Sequence, residues 1–129
     1  MWHEKTELLS PRSVPEDTPH IVCLCGSTKF YREYQKAYYD ETMKGNIVLS
    51  VGFYPHSQQE SHGQDVGASS DQKIFLDVLH LRKIDIADSI YVLNVGGYIG
   101  ESAAREIAYA ESKGKPIGYL ESCGAANDD

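Results

Sequence analysis

Glu106, in Glu106-Ile-Ala-Tyr-Ala110, is the carboxylate best placed for chemistry in this 129-residue chain. The spacing puts it about one turn into a helix that opens just after Gly96, Gly97 and Gly100, where the positive end of the macrodipole favours its charged form. An ionised carboxylate beside a ligand pocket can serve as a nucleophile or a base. The preceding Asn94-Val-Gly-Gly-Tyr-Ile-Gly100 lets the backbone come close to a bound molecule, and Ser102, with Glu101 beside it, can satisfy amides left open at the helix start. Such a turn is a ready anion site. Spacing alone also admits a plainer reading, in which the glycines make an ordinary turn and Glu106 is a solvated helix residue.

A second polar turn, Gly26-Ser-Thr-Lys29, follows the first apolar run. His80 shares the less apolar side of its helix with Lys73 and Asp77, which reads as a partly exposed histidine. Cys23 and Cys25 alternate along a strand and point to one face. They read as buried thiols, since a metal pair would lack a matching second pair of ligands. Three cysteines do not make a complete disulfide framework, and Cys123 stands in the tail without a partner. His56, His62 and His80 do not stand at close ligand spacing, so no metal site is expected.

The elements that must position these residues alternate. Ile21-Val-Cys-Leu-Cys25 is an apolar run of the kind found in a strand covered on both faces. Phe30 to Lys44 has helical spacing at Phe30, Tyr34, Ala37 and Tyr38, with Gly45 as a stop. Asn46 to Val51 is a second strand. A long polar loop from Phe53 to Ser70 carries Tyr54, His56 and His62, which read either as solvated residues or as a cover over a ligand. Asp71 to Asp88 is a helix capped by Asp71, with a broad apolar face of Ile74, Phe75, Val78, Leu79, Leu81, Ile84 and Ile86. Ser89 to Val95 is a strand, Glu101 to Ser112 a helix ended by Gly114 and Pro116, and Ile117 to Leu120 a fourth strand.

This alternation predicts an α/β fold: a single-domain three-layer α/β/α sandwich on a parallel four- to five-stranded, Rossmann-like (flavodoxin-like) sheet. Residues 1–20 read as an irregular arm in which Trp2, Leu8 and Leu9 can dock, 21–120 as the domain, and 121–129 as a polar tail. Ligands of such sheets collect outside the carboxyl ends of the strands, where both polar turns fall.

A net charge of −7 is the wrong sign for gripping a polyanion, which disfavours nucleic acid as a partner. No apolar run approaches the roughly 20 residues that cross a bilayer, and the first residues lack the apolar core of a signal peptide, so a cytoplasmic protein with no membrane partner is expected.

Cys25-Gly-Ser-Thr-Lys29, Leu79-His-Leu-Arg-Lys-Ile-Asp-Ile-Ala-Asp88 and Glu106-Ile-Ala-Tyr-Ala110, in that order and spacing, resemble the nucleoside 2-deoxyribosyltransferase superfamily, including its deoxynucleoside 5′-monophosphate N-glycosidase branch, over residues 21–120. Rossmann dinucleotide binding is disfavoured, because the full Gly-x-Gly-x-x-Gly pattern is absent. The resemblance implies that Glu106 attacks the anomeric carbon of a nucleoside or nucleoside 5′-monophosphate. It also implies that Gly26, Ser27, Thr28 and Lys29 cradle a 5′-phosphate, that Gly97, Tyr98, Gly100 and Ser102 contact substrate, and that no cofactor is needed. A homo-oligomer, dimeric or larger, is expected on the same ground. The sequence departs from the family pattern: Cys23 stands where a strand tyrosine is usual, His80 where an aspartate lies near the leaving base, Gly100 where transferases carry an acid, and Ala108 where a glycine is usual. His80 can then donate a proton to the departing base. The same departures leave open a nucleotide-binding or sensing module without turnover.

Overall fold

The computed structural model describes residues 14–51 and 70–122. Most of the arm, with Trp2, Leu8 and Leu9, the loop bearing Tyr54, His56 and His62, and Cys123 all lie outside the described residues. Among the described residues, four strands and three α-helices alternate: β1 (Ile21–Cys25), α1 (Tyr31–Met43), β2 (Ile47–Leu49), α2 (Ser70–Ile86), β3 (Ser89–Val92), α3 (Glu101–Ser112) and β4 (Ile117–Tyr119). The four strands form one parallel sheet in the order β2-β1-β3-β4.

Because β1 is central and covered on both faces, every one of its residues is buried. Strand alternation divides its side chains between two cores. Ile21, Cys23 and Cys25 join Ile90 and Val92 beneath Ile84 and Ala87 at the end of α2 and Ala110 of α3. Leu24 and Leu93 pack on the opposite face against Tyr34 and Ala37 of α1. Two helices on one face and one on the other make the three-layer arrangement expected. Burying a side chain such as Leu24 or Ile84 contributes roughly 1.5–3 kcal/mol, so these two cores hold the sheet between its helices.

The chain steps from β1 to β2 on one side of the sheet and then returns to β3 on the other. The reversal opens a crevice at the carboxyl ends of β1 and β3. Gly26, at φ 145°, turns the chain out of β1 at that point, and a side chain there would press within 3.1 Å of the Leu93 carbonyl oxygen. The Tyr34 hydroxyl donates to the Gly26 carbonyl (2.8 Å), which ties the turn to α1.

Several local expectations are corrected. Helix α2 starts at Ser70, so Asp71 lies in its first turn and is not its cap. The apolar face expected on α2 is largely outside: Ile74, Phe75, Val78, Leu79 and Ile86 are exposed, with Phe75 at 65 %. Only the later part of α2, at Ile84 and just beyond it at Ala87, meets the sheet core; earlier the helix runs beside the crevice and turns its polar stripe inward. The third strand ends at Val92, and Val95–Gly97 forms a 3-10 turn. Helix α3 begins after Gly100 with no side-chain cap, so neither Ser102 nor Glu101 fills that role. Tyr38 and Tyr39 are exposed, whereas Tyr34 is wholly buried.

Candidate functional site

The crevice contains a cavity of about 220 Å³. The loop after β1 forms one wall through Gly26, Ser27 and Thr28, α2 another through Lys73, Asp77, His80 and Lys83, and the start of α3 a third through Gly100, Ser102 and Glu106. Tyr98 closes one side.

A polar seam between α2 and α3 builds the deeper part. Lys73, Asp77 and His80 recur at intervals of four and three, which sets them on one face of α2. Their partners Ser102, Arg105 and Glu106 fall within two turns of α3. Lys73 Nζ lies 3.4 Å from Ser102 Oγ, Arg105 Nη2 donates to Asp77 Oδ2 at 3.1 Å, and His80 Nε2 stands 4.0 Å from Glu106 Oε1. Ala103 and Ala110, small and buried, let α3 sit close to the sheet, with Glu106 between them along the helix.

His80 is 5 % exposed, which corrects the reading of a partly exposed histidine. Its Nε2 lies 3.6 Å from Cys23 Sγ and 3.6 Å from Cys25 Sγ, while its Nδ1 is buried with no partner among the described residues. Burial disfavours the charged ring, yet the hydrogen bond and charge of Cys23, with Glu106 behind them, outweigh it and raise the His80 pKa. The Cys23 thiol is drawn down to about 5, mainly by its hydrogen bond from Cys25 and also by His80, against the opposing effect of burial. Cys25, hydrogen-bonded to Cys23 and buried, is pushed well up. Burial also raises Glu106 to about 7; the charge of His80 pulls against that shift and Cys23 adds to it. The helix start therefore does not govern Glu106 as the sequence suggested: desolvation wins.

Eight of the residues singled out in the sequence line this one cavity: Gly26, Ser27, Thr28, His80, Tyr98, Gly100, Ser102 and Glu106. Lys29 and Gly97 do not line it. The Lys29 ammonium instead sits 4.1 Å from the centre of the Tyr98 ring, with Phe30 edge-on to the same ring. Thr28 Oγ1 is buried without a partner among the described residues, an unsatisfied group on the cavity wall. The glycine turn at 96–97 has its own internal anion, because the Gly96 amide donates to Glu121 Oε2 (2.9 Å). Asn94, wholly buried, exchanges two hydrogen bonds with the Glu121 backbone and fixes that turn to the end of β4.

Sequence reasoning missed Asp77, Lys73 and Lys83 as cavity residues. Lys83 Nζ also donates to the Ser50 carbonyl (2.6 Å), tying α2 to the end of β2. The recurrence 73, 77, 80, 83, at intervals of four, three and three, was the available signal. The departures from the family pattern also find their places. A Cβ at Gly100 would meet the Tyr98 hydroxyl at 2.9 Å. Ala108 is exposed and takes no part in the walls.

No family model matches the chain, and no curated protein matches it. Among solved structures, a 2-deoxyribosyltransferase from the psychrotolerant bacterium Bacillus psychrosaccharolyticus superposes with a TM-score of 0.54 at 17 % identity, over 77 % of this chain and 70 % of that one. The two share a fold, a parallel α/β sheet with its helices. Among the described residues, no helix is long and apolar enough to cross a membrane.

Proposed function

We propose that this chain cleaves the N-glycosidic bond of a nucleoside or nucleoside 5′-monophosphate, with Glu106 as the nucleophile. The observation that carries the reading is the placement of a nearly buried carboxylate, backed by His80, across a cavity from the Gly26–Thr28 turn. In the first step Glu106 bonds to the anomeric carbon as the bond from that carbon to the base nitrogen breaks. The electron pair leaves with the base, and His80 supplies its proton. Water or an incoming base then displaces Glu106 from the glycosyl ester, as in retaining glycoside hydrolysis. The amides of the Gly26 turn and the Thr28 hydroxyl hold the 5′ end, with Lys73 and Lys83 as ammonium groups on the cavity wall. No organic cofactor enters this chemistry.

Incubation with a panel of ribo- and deoxynucleosides and their monophosphates, with chromatography for free base, tests the proposal. Base release abolished by Glu106→Gln supports it. A second reading, a nucleotide-binding or sensing module, draws on Glu106 being raised to about 7, which leaves only part of it ionised near neutrality. Thermal stabilisation by a nucleotide without release of base would decide for that reading.

The proposal includes a homo-oligomer. Ile74, Phe75 and Val78 form an exposed apolar surface on α2, and sedimentation of the native chain beside Phe75→Asp measures its part in assembly.

A further inference from the structure

We propose that Cys23, Cys25 and His80, joined by the Glu106 carboxylate, form a tetrahedral site for one divalent transition-metal ion of the zinc class. The two cysteines are neighbours on one face of β1, and α2 lays the His80 ring against both. The ligand atoms of these three residues lie within 4.8 Å of one another. Zinc bonds of about 2.3 Å to sulfur and about 2.0–2.1 Å to nitrogen place sulfur and nitrogen about 3.6 Å apart across a tetrahedral edge. Both sulfurs stand 3.6 Å from His80 Nε2. The fourth corner needs an oxygen, and Glu106 Oε1 is 4.0 Å from that nitrogen, within a small side-chain adjustment of a metal-bound position.

The donor set selects the ion. Two thiolates and an imidazole favour zinc-class metals over magnesium or calcium, which take oxygen ligands. Both cysteines are wholly buried, so the ion reaches them from the cavity wall that His80 and Glu106 form. On binding, the metal takes thiolates, a neutral imidazole and a carboxylate, and the protons these four groups still hold pass to solvent. The carboxylate that completes the tetrahedron is then no longer available to attack a sugar. That consequence rests on the function proposed above; the binding itself does not.

Titration of the reduced, chelator-dialysed full-length protein with Co²⁺ tests the site without any substrate. Saturation at one equivalent is expected, with a thiolate-to-cobalt charge-transfer band, d–d bands of tetrahedral intensity, and displacement by Zn²⁺. Cys23→Ser and Cys25→Ser should each lower the charge-transfer band by about half, since each removes one of two metal–sulfur bonds. His80→Gln should weaken binding at least tenfold, and Cys123→Ser should change nothing. Absence of a thiolate band in the wild type overturns the proposal, as does a band that survives both β1 substitutions or disappears with Cys123→Ser. Folding of each variant is checked by circular dichroism; if a cysteine variant fails to fold, the wild-type spectrum and His80→Gln decide.

Discussion

His80 and Glu106 face each other from adjacent helices, Nε2 to Oε1 at 4.0 Å, on the wall of a cavity that opens at the carboxyl ends of β1 and β3. Neither group is in an ordinary environment. Burial raises the carboxyl, and the Cys23 and Glu106 charges raise the imidazole despite its burial. The pair is held by packing that has little to do with either charge: Ile84 and, just past the helix, Ala87 root the end of α2 in the sheet, and Ala110 does the same for α3.

Glu106→Gln should reduce base release by about a thousandfold or more, in line with loss of a nucleophile. In the wild type, kcat/KM should climb as pH rises through about 7, because only the ionised carboxylate attacks. A flat profile between pH 5 and 8, with turnover intact in the variant, assigns the nucleophile elsewhere.

The same substitution should make the protein more stable at alkaline pH. With its folded pKa raised from 4.5 to about 7, Glu106 keeps its proton in the native state where the unfolded chain has lost it. Stability therefore falls as pH rises through that window, and the loss is complete above it. Urea unfolding at pH 8 should show Glu106→Gln ahead of wild type by on the order of 1–3 kcal/mol, with the gap closing near pH 4.5.

Thr28→Val separates binding from folding. Valine keeps the shape and removes a buried hydroxyl that has no partner among the described residues. Stability should change by less than about 1 kcal/mol, or rise, because an unsatisfied polar group is lost. Affinity for a nucleoside monophosphate, measured by calorimetry, should fall several-fold. Unchanged affinity would remove Thr28 from the binding wall.

Two glycines with positive φ should respond unequally to alanine. At Gly26 a methyl group would press on the Leu93 backbone oxygen at 3.1 Å and its Cβ at 3.2 Å; at Gly45, with φ 90°, nothing lies within 4 Å. Gly45→Ala should cost about 1 kcal/mol from the backbone alone, and Gly26→Ala about 2–4 kcal/mol, from backbone strain and steric overlap together. Equal losses in chemical denaturation would contradict the close contact described for Gly26.

Local composition was enough to read the alternating elements and the parallel sheet. The run Ile21–Cys25 is apolar throughout because a central strand is buried on both faces, and the glycines at 26 and 114 mark turns that only a positive φ completes. That Gly26, Ser27, Thr28, Tyr98, Gly100, Ser102 and Glu106 would gather at one crevice was legible because parallel sheets leave one where their strands end, and all seven line the cavity there.

What remained hidden depended on contacts between residues far apart in sequence. Periodicity on α2 separates an apolar side from a polar one, but it does not say which side faces inward. Here the polar stripe Lys73, Asp77 and His80 meets Ser102, Arg105 and Glu106, while Phe75 and Val78 face outward. Nor can spacing tell that Cys23 and Cys25 share one imidazole, since His80 lies more than fifty residues away and comes to them only when α2 packs across β1. The chain alone determined which groups were capable of chemistry. Only the packing of α2 and α3 on the sheet decided which of them meet, and burial then set their charges.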